Sequence, residues 1–109
     1  MDPDAPAAQR PYEVILSPLA VQDLAEIVTF IAADNPTVAE RFGRALIQKT
    51  RLLVTFPELG RIVPEFAEAP ERARELIHRA YRIIYRVDHA RRRVEVSRFW
   101  HASRGTPEL

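Results

Sequence analysis

Apolar positions in the first half of the chain recur at three- and four-residue spacing. Ala20, Leu24, Ile27, Val28 and Ile31 form one stripe, and Gln22, Asp23, Glu26 and Thr29 face away from it. This predicts an amphipathic helix. Ser17-Pro18 opens it, with serine as N-cap and proline at the first helical position. Leu16 and Val21 are placed for a hydrophobic staple across that start. The helix should stop by Asp34-Asn35, because Pro36 disfavours the α conformation in the residue before it. Asn35-Pro36 then restarts a helix in the same way. Its stripe is Val38, Phe42, Ala45, Leu46, Leu52, Leu53 and Phe56, and Pro57 and Gly60 end it. Glu40 and Arg44, four apart on its exposed side, can pair weakly. So short a break between helices predicts an antiparallel hairpin.

The period then changes to two. Arg74 to Arg104 reads as three short strands, with turns near Arg79-Ala80 and across Asp88 to Arg93. Tyr81, Ile83, Tyr85 and Val87 should share one face of the middle strand, and Arg82, Ile84 and Arg86 the other. In the last strand Val94, Val96, Arg98 and Trp100 alternate with Glu95, Ser97, Phe99 and His101. Tyr12 to Leu16 is a further strand candidate ahead of the helices. Residues 57–73 form a long connection with three prolines, and Ile62 and Phe66 suggest that it docks. The order β-α-α-β-β-β implies a two-layer α+β fold, a helix hairpin packed on a small twisted antiparallel sheet. Whether the first strand lies at an edge or pairs in parallel with a later strand stays open at this point.

A chain of 109 residues makes one small domain. We place a flexible N-terminal tail over 1–11, the domain over 12–104 and a short polar tail over 105–109. Cysteine is absent, so there is no disulfide framework and no thiolate metal site, which suits a reducing cytoplasm. No run of about 18 apolar residues predicts a membrane span. The N-terminus lacks the basic start and apolar run of a signal peptide. Charge is uneven: residues 1–71 hold 6 basic and 11 acidic side chains, residues 72–109 hold 10 basic and 4 acidic. All 10 are arginine, whose planar fork suits carboxylate or phosphate, so an anionic partner is implied. The plainer reading is a solvated, arginine-rich sheet face.

Walker, GxGxxG, HExxH and CxxC motifs are all missing, and His78, His89 and His101 lack ligand spacing. No metal and no cofactor is expected. Arg82 stands mid-strand among apolar residues, where a guanidinium needs a carboxylate, carbonyl or phosphate. It is either a structural ion pair, with Glu65 or Glu75, or a phosphate contact. Glu65 gains interest only if its loop folds over the sheet. His101, at a strand end beside Trp100, is either a general acid or base or a residue that caps the backbone. Trp100 and Phe99 can stack on bases or pack in a core.

The sequence resembles the RelE/ParE superfamily of type II toxin–antitoxin toxins, nearer the ParE or plasmid-stabilisation branch. The resemblance rests on Leu16-Ser17-Pro18 with Ala20 and Asp23-Leu24, on Phe56-Pro57, Gly60-Arg61 and Val63-Pro64-Glu65, and on Arg74-Glu75-Leu76. It continues through Tyr81-Arg82-Ile83-Ile84-Tyr85-Arg86-Val87 and Val94-Glu95-Val96 to His101 and Arg104, and covers about residues 12–104. It implies the βααβββ fold and a cytoplasmic toxin held in a hetero-oligomer with a cognate antitoxin. ParE-type members inhibit DNA gyrase; RelE-type members cleave mRNA at the ribosome; an inactive antitoxin-binding homologue is the third alternative. For a metal-independent nuclease the implied catalytic residues are Glu65, Arg82 and His101, with Arg98 a second candidate cation. For target or antitoxin contact they are Arg79, Arg86, Arg91, Arg92, Arg93, Arg98, Trp100 and Arg104. The chain departs from RelE in lacking its lysine cluster and C-terminal catalytic tyrosine, which leans the reading away from an enzyme.

Overall fold

A computed structural model describes residues 10–69 and 72–109. The expected N-terminal tail lies outside these residues except at Arg10 and Pro11. The elements run β1 (Glu13–Leu16), α1 (Pro18–Ala32), α2 (Pro36–Arg51), β2 (Arg61–Ile62), β3 (Arg74–His78), β4 (Tyr81–Asp88) and β5 (Arg93–His101). Both helix starts form as the sequence dictates. Ala20 N–H donates to Ser17 Oγ at 3.1 Å, and Val38 N–H to Asn35 Oδ1 at 3.1 Å, each ahead of a proline. Val21, placed for a staple at the start of α1, is 53% exposed. At Gly43 a Cβ would stand 2.9 Å from Val28 Cγ2, so the absence of a side chain lets the two helices approach there.

The sheet order is β1-β5-β4-β3-β2. Neighbouring strands from β2 to β5 are antiparallel, whereas β1 pairs in parallel with β5, from Glu13 opposite Arg93 to Leu16 opposite Val96. The expected two-layer α+β fold is present, as a mixed sheet with one strand more than the pattern foretold. The extra strand, β2, lies inside the long connection. Two residues are too few for alternation to register.

Both faces of the sheet are covered. Toward the helices, Ile83, Tyr85, Val94, Val96 and Phe99 pack with Leu76 against Ala20, Ile27, Leu46 and Leu53. On the opposite face Ile84 and Trp100 pack with Val63, Ala73 and the half-buried Phe66 of the connection. Phe56, expected in the helical stripe, is 58% exposed, because α2 ends at Arg51 and a tighter turn over Leu52–Val54 changes the direction of the chain.

The last strand departs from simple alternation. Ile84 pairs with Arg98 but Tyr85 pairs with Val96, so Ser97 is an extra residue, a β-bulge. A one-residue insertion reverses the phase of every side chain beyond it. Val94 and Val96 therefore share the helix face with Phe99 and His101, which stand opposite Ile83 and Tyr81. Arg98 and Trp100 turn to the other face, against the expectation that they would align with Val94 and Val96.

Leu46 has no exposed surface and sits at the centre of the helix-side core. Leu46→Ala is expected to lower the unfolding free energy in urea by about 2–5 kcal/mol. A loss below about 0.5 kcal/mol would place Leu46 at the surface and break this packing scheme.

Candidate functional site

The connection between α2 and β3 is tied to the sheet by charged side chains. Arg82 Nη1 and Nη2 donate to Glu65 Oε2 and Oε1 at 2.8 and 2.7 Å. Its Nε donates to Glu75 Oε1 at 2.6 Å, and Arg61 Nε donates to Glu75 Oε2 at 2.7 Å. Both carboxylates proposed as partners for Arg82 thus meet it. Glu75 is 0% exposed at its side chain, Arg82 11% and Glu65 30%. The backbone adds further ties. Gly60 N–H donates to the Tyr85 hydroxyl at 2.8 Å, and Arg74 Nη1 donates to Gly60 O at 2.8 Å. A Cβ on Gly60 would stand 2.4 Å from Glu75 O, so only glycine allows this approach. The hydrogen bonds from Arg82 hold the Glu65 carboxyl at about 2, against 4.5 for a free glutamate. Glu65 in turn raises the affinity of the guanidinium for its proton.

A second ion pair closes the edge of β5 beyond the end of β1. Asp23 accepts from Arg98 Nε at 2.7 Å and Nη2 at 2.8 Å, and from the Phe99 backbone N–H at 3.0 Å. Asp23 is 6% exposed, so it does not face solvent as its polarity suggested. The helix passes along an open strand edge, where a carboxylate can satisfy a backbone donor. Ser17 Oγ supports the same edge by donating to Ser97 O at 2.9 Å. Arg98 Nη1 also donates to Glu108 O at 2.7 Å, and Trp100 Nε1 to Gly105 O at 3.1 Å. The C-terminal tail is therefore fastened down, with Pro107 buried.

Arg98 and Trp100, both anticipated as partner contacts, are 8% and 2% exposed. The Trp100 ring has the Arg98 guanidinium at 4.9 Å and that of Arg104 at 3.9 Å from its centroid. A partner approaching here meets Arg104 before the indole.

His101 does not join Glu65 and Arg82. It pairs with Tyr81 on the helix face, their rings edge to face at 5.0 Å, while Arg82 pairs with Trp100 on the other. Ser103 N–H donates to His101 Nδ1 at 3.1 Å, so the imidazole caps the turn that follows the strand. Its surroundings are a shallow pocket of about 170 Å³, shared with Asp23, Phe30, Tyr81 and Arg104. The nuclease candidates thus divide into an ion-paired couple and a separate cap. Every charged nitrogen of Arg82 and both Glu65 oxygens are engaged within the chain.

The other arginines lie at the ends of the sheet. Arg79 occupies the β3–β4 turn with φ 55°, beside an apolar groove of about 580 Å³ lined by Ile31, Val38, Phe42 and Tyr81, with Arg41 near it. Arg86, Arg91 and Arg93 line a groove of about 620 Å³ with Arg72. Arg92 turns to the opposite side, 5.4 Å from the Tyr12 ring centroid. There the Tyr12 hydroxyl lies 2.7 Å from His89 Nδ1, and His89 Nε2 lies 3.0 Å from Glu58 Oε1. Sequence reading missed this chain of contacts; its members are far apart and share no motif. Among the described residues no three His, Cys, Asp or Glu side chains gather as metal ligands. None of the described helices is long and apolar enough to cross a membrane.

Comparison with known families gives one match over residues 14–105, to the family described as ParE toxin of type II toxin–antitoxin system, parDE. A comparison with curated proteins returns no significant match. Among solved structures, the chromosomal ParDE toxin–antitoxin system from P. aeruginosa is similar, with TM-score 0.68 and 18% identity over 85% of this chain and 98% of that one. The toxin–antitoxin complex RelBE2 from Mycobacterium tuberculosis is also similar, with TM-score 0.59 and 22% identity over 84% of this chain and 91% of that one.

The lowered pKa of Glu65 predicts a pH dependence of stability. A carboxyl with a folded-state pKa of about 2 adds stability above its unfolded value near 4.5 and loses it as pH falls toward 2. Wild-type chain should therefore lose more stability than Glu65→Gln between about pH 5 and pH 2 in urea titrations. Parallel loss in the two proteins would mean that the pair with Arg82 does not persist in solution.

Proposed function

This chain belongs to the ParE toxin family of type II toxin–antitoxin systems, and from that premise we propose that it inhibits DNA gyrase by binding, without catalysis of its own. It is a toxin of the ParE/RelE superfamily; the target, the antitoxin and the cytoplasmic setting are parts of the proposal. One observation carries it. Arg82 is locked between Glu65 and Glu75, and His101 stands on the far side of the sheet. RNA cleavage through a 2′-hydroxyl needs a base, an acid and a cation around one phosphate. A glutamate held near pKa 2 by a guanidinium is a weak base, and that guanidinium is 11% exposed with its charge already balanced by two carboxylates. Exposed arginines at the sheet ends are instead available for surface contact.

The cognate antitoxin takes the groove between the helix hairpin and the β3–β4 turn. Its floor is apolar, with Ile31, Val38, Phe42 and Tyr81, and Arg41 and Arg79 flank it. That combination fits an amphipathic segment with acidic residues along its margins. Affinity for the antitoxin should fall as salt rises, because exposed charge pairs are screened. Affinity independent of salt would argue for a wholly apolar interface.

The mechanistic prediction concerns His101. Losing a general acid or base typically costs about 10²–10⁴ in rate, whereas truncating most single contacts in a binding surface costs less than about 1 kcal/mol. A gyrase inhibitor should therefore remain toxic to cells as His101→Gln, and toxin expression should induce a DNA-damage response with mRNA intact. A folded, antitoxin-binding His101→Gln chain without toxicity, together with cut mRNA, would establish the nuclease alternative instead.

A further inference from the structure

The groove at the open end of the face opposite the helices is lined with arginine from four places in the chain. Arg86 lies on β4, Arg93 on β5, Arg91 in the turn between them, and Arg72 ahead of β3. Its floor is charge-balanced, since Arg86 and Glu95 stand directly opposite each other across β4 and β5. The rim is not. Asp88 Oδ1 is used by the Arg91 backbone N–H at 3.1 Å, and the Arg91 guanidinium is 4.0 Å from the other carboxylate oxygen. Arg91 is 75% exposed at its side chain, and Arg93 holds Glu13 only through an exposed contact at 3.4 Å. Exposed pairs of this kind are weak and exchange readily for a better anion. Arg92, with φ 50°, turns away toward Tyr12, which leaves Arg91 and Arg93 on the groove side of the hairpin tip.

We propose that this groove and the β4–β5 hairpin tip seat the phosphate backbone of duplex DNA, through Arg72, Arg91 and Arg93. The lining favours nucleic acid over a protein segment. A docking peptide needs apolar anchors in desolvated pockets, and here only Ile15 and Val87 are apolar. A phosphate backbone needs charge and forked donors, and accepts a wet, polar surface. The inference rests on the gyrase reading only for its setting; the DNA contact itself is a property of this chain.

Fluorescence anisotropy of the full chain with a labelled duplex tests it. Three phosphate contacts give a slope of about −2.7 in log affinity against log salt, which is a loss of about 40-fold between about 50 and 200 mM. Arg91→Gln with Arg93→Gln should make the slope shallower by about 1.8. Circular dichroism confirms that the variant folds, and Arg91→Gln alone, at the more exposed site, serves if it does not. A folded variant with an unchanged slope, or wild-type binding that ignores salt, overturns the proposal. So does duplex RNA bound over ten-fold more tightly than DNA, or polyglutamate displacing DNA at equal charge. Gyrase supercoiling separates this inference from the reading beneath it. Duplex binding without gyrase inhibition removes the gyrase reading and leaves the DNA seat. Undiminished gyrase inhibition by a chain that does not bind duplex does the reverse.

Discussion

Glu75 has no contact with solvent, and a carboxylate in that position must find its charge and hydrogen-bond partners inside the chain. It finds Arg82 on the neighbouring strand and Arg61 on the short strand beside it. Each partner then constrains something else. Arg61 holds β2 in register with β3, a pairing of two residues that backbone bonds alone would barely sustain. Arg82 extends the same chain of charges to Glu65 and so draws the Pro64–Phe66 turn over the sheet, carrying Val63 and Phe66 onto Ile84 and Trp100. The Pro64–Phe66 turn is held over the sheet by that chain of charges together with the packing of Val63 and Phe66. Removing Arg82 would leave the buried Glu75 with the 65% exposed Arg61 as its ion-pair partner, a change approaching the kind that costs about 3–5 kcal/mol, so loss of toxicity in such a variant would report on folding before it reported on chemistry.

The bulge at Ser97 connects this arrangement to the helices. Without it, Arg98 and Trp100 would point into the helix-side core, where a guanidinium would have no place. With it, Phe99 completes that core, while Arg98 reaches round the strand edge to Asp23 on α1. The carboxylate of Asp23 also takes the Phe99 backbone N–H, so the one stretch of β5 that β1 does not cover is closed to another strand. Arg98 then holds Glu108 O, and Trp100 holds Gly105 O, which folds the C-terminus against the same edge.

What the sequence conveyed, and what it withheld, follows from the range of each interaction. Helix starts are local: Ser17-Pro18 and Asn35-Pro36 carry their caps within four residues, and both formed as read. Alternation in β4 was legible because no irregularity interrupts it. The phase of β5 beyond Ser97 was not, since a bulge leaves no mark on a pattern of apolar and polar residues. Asp23 looked like a solvent-facing helix residue because its partner lies 75 positions away. Of the site, the need of Arg82 for a partner was legible from cost, and an ion pair with Glu65 or Glu75 was one of two readings beside a phosphate contact; the structure supplies both carboxylates. That His101 would stand apart was not, because the bulge and the strand register together decide which face it occupies.

The division of labour among the arginines bears on mechanism more than their number does. Arg61, Arg82 and Arg98 hold carboxylates that are buried or nearly so, and to recruit any of them for a ligand would expose a charge that the fold has already neutralised. A phosphate reaching Arg82 would meet a guanidinium that is 11% exposed and already neutralised by Glu65, bound through two hydrogen bonds, and by Glu75. Arg91 and Arg93 hold partners that water already competes for, so exchanging those partners costs little. The chain therefore keeps its strongest guanidinium contacts for its own loops and offers outward those that can be exchanged. That arrangement supports the reading proposed above, of a surface whose affinity is summed over several modest charge contacts in place of a reaction centre built around one fixed cation.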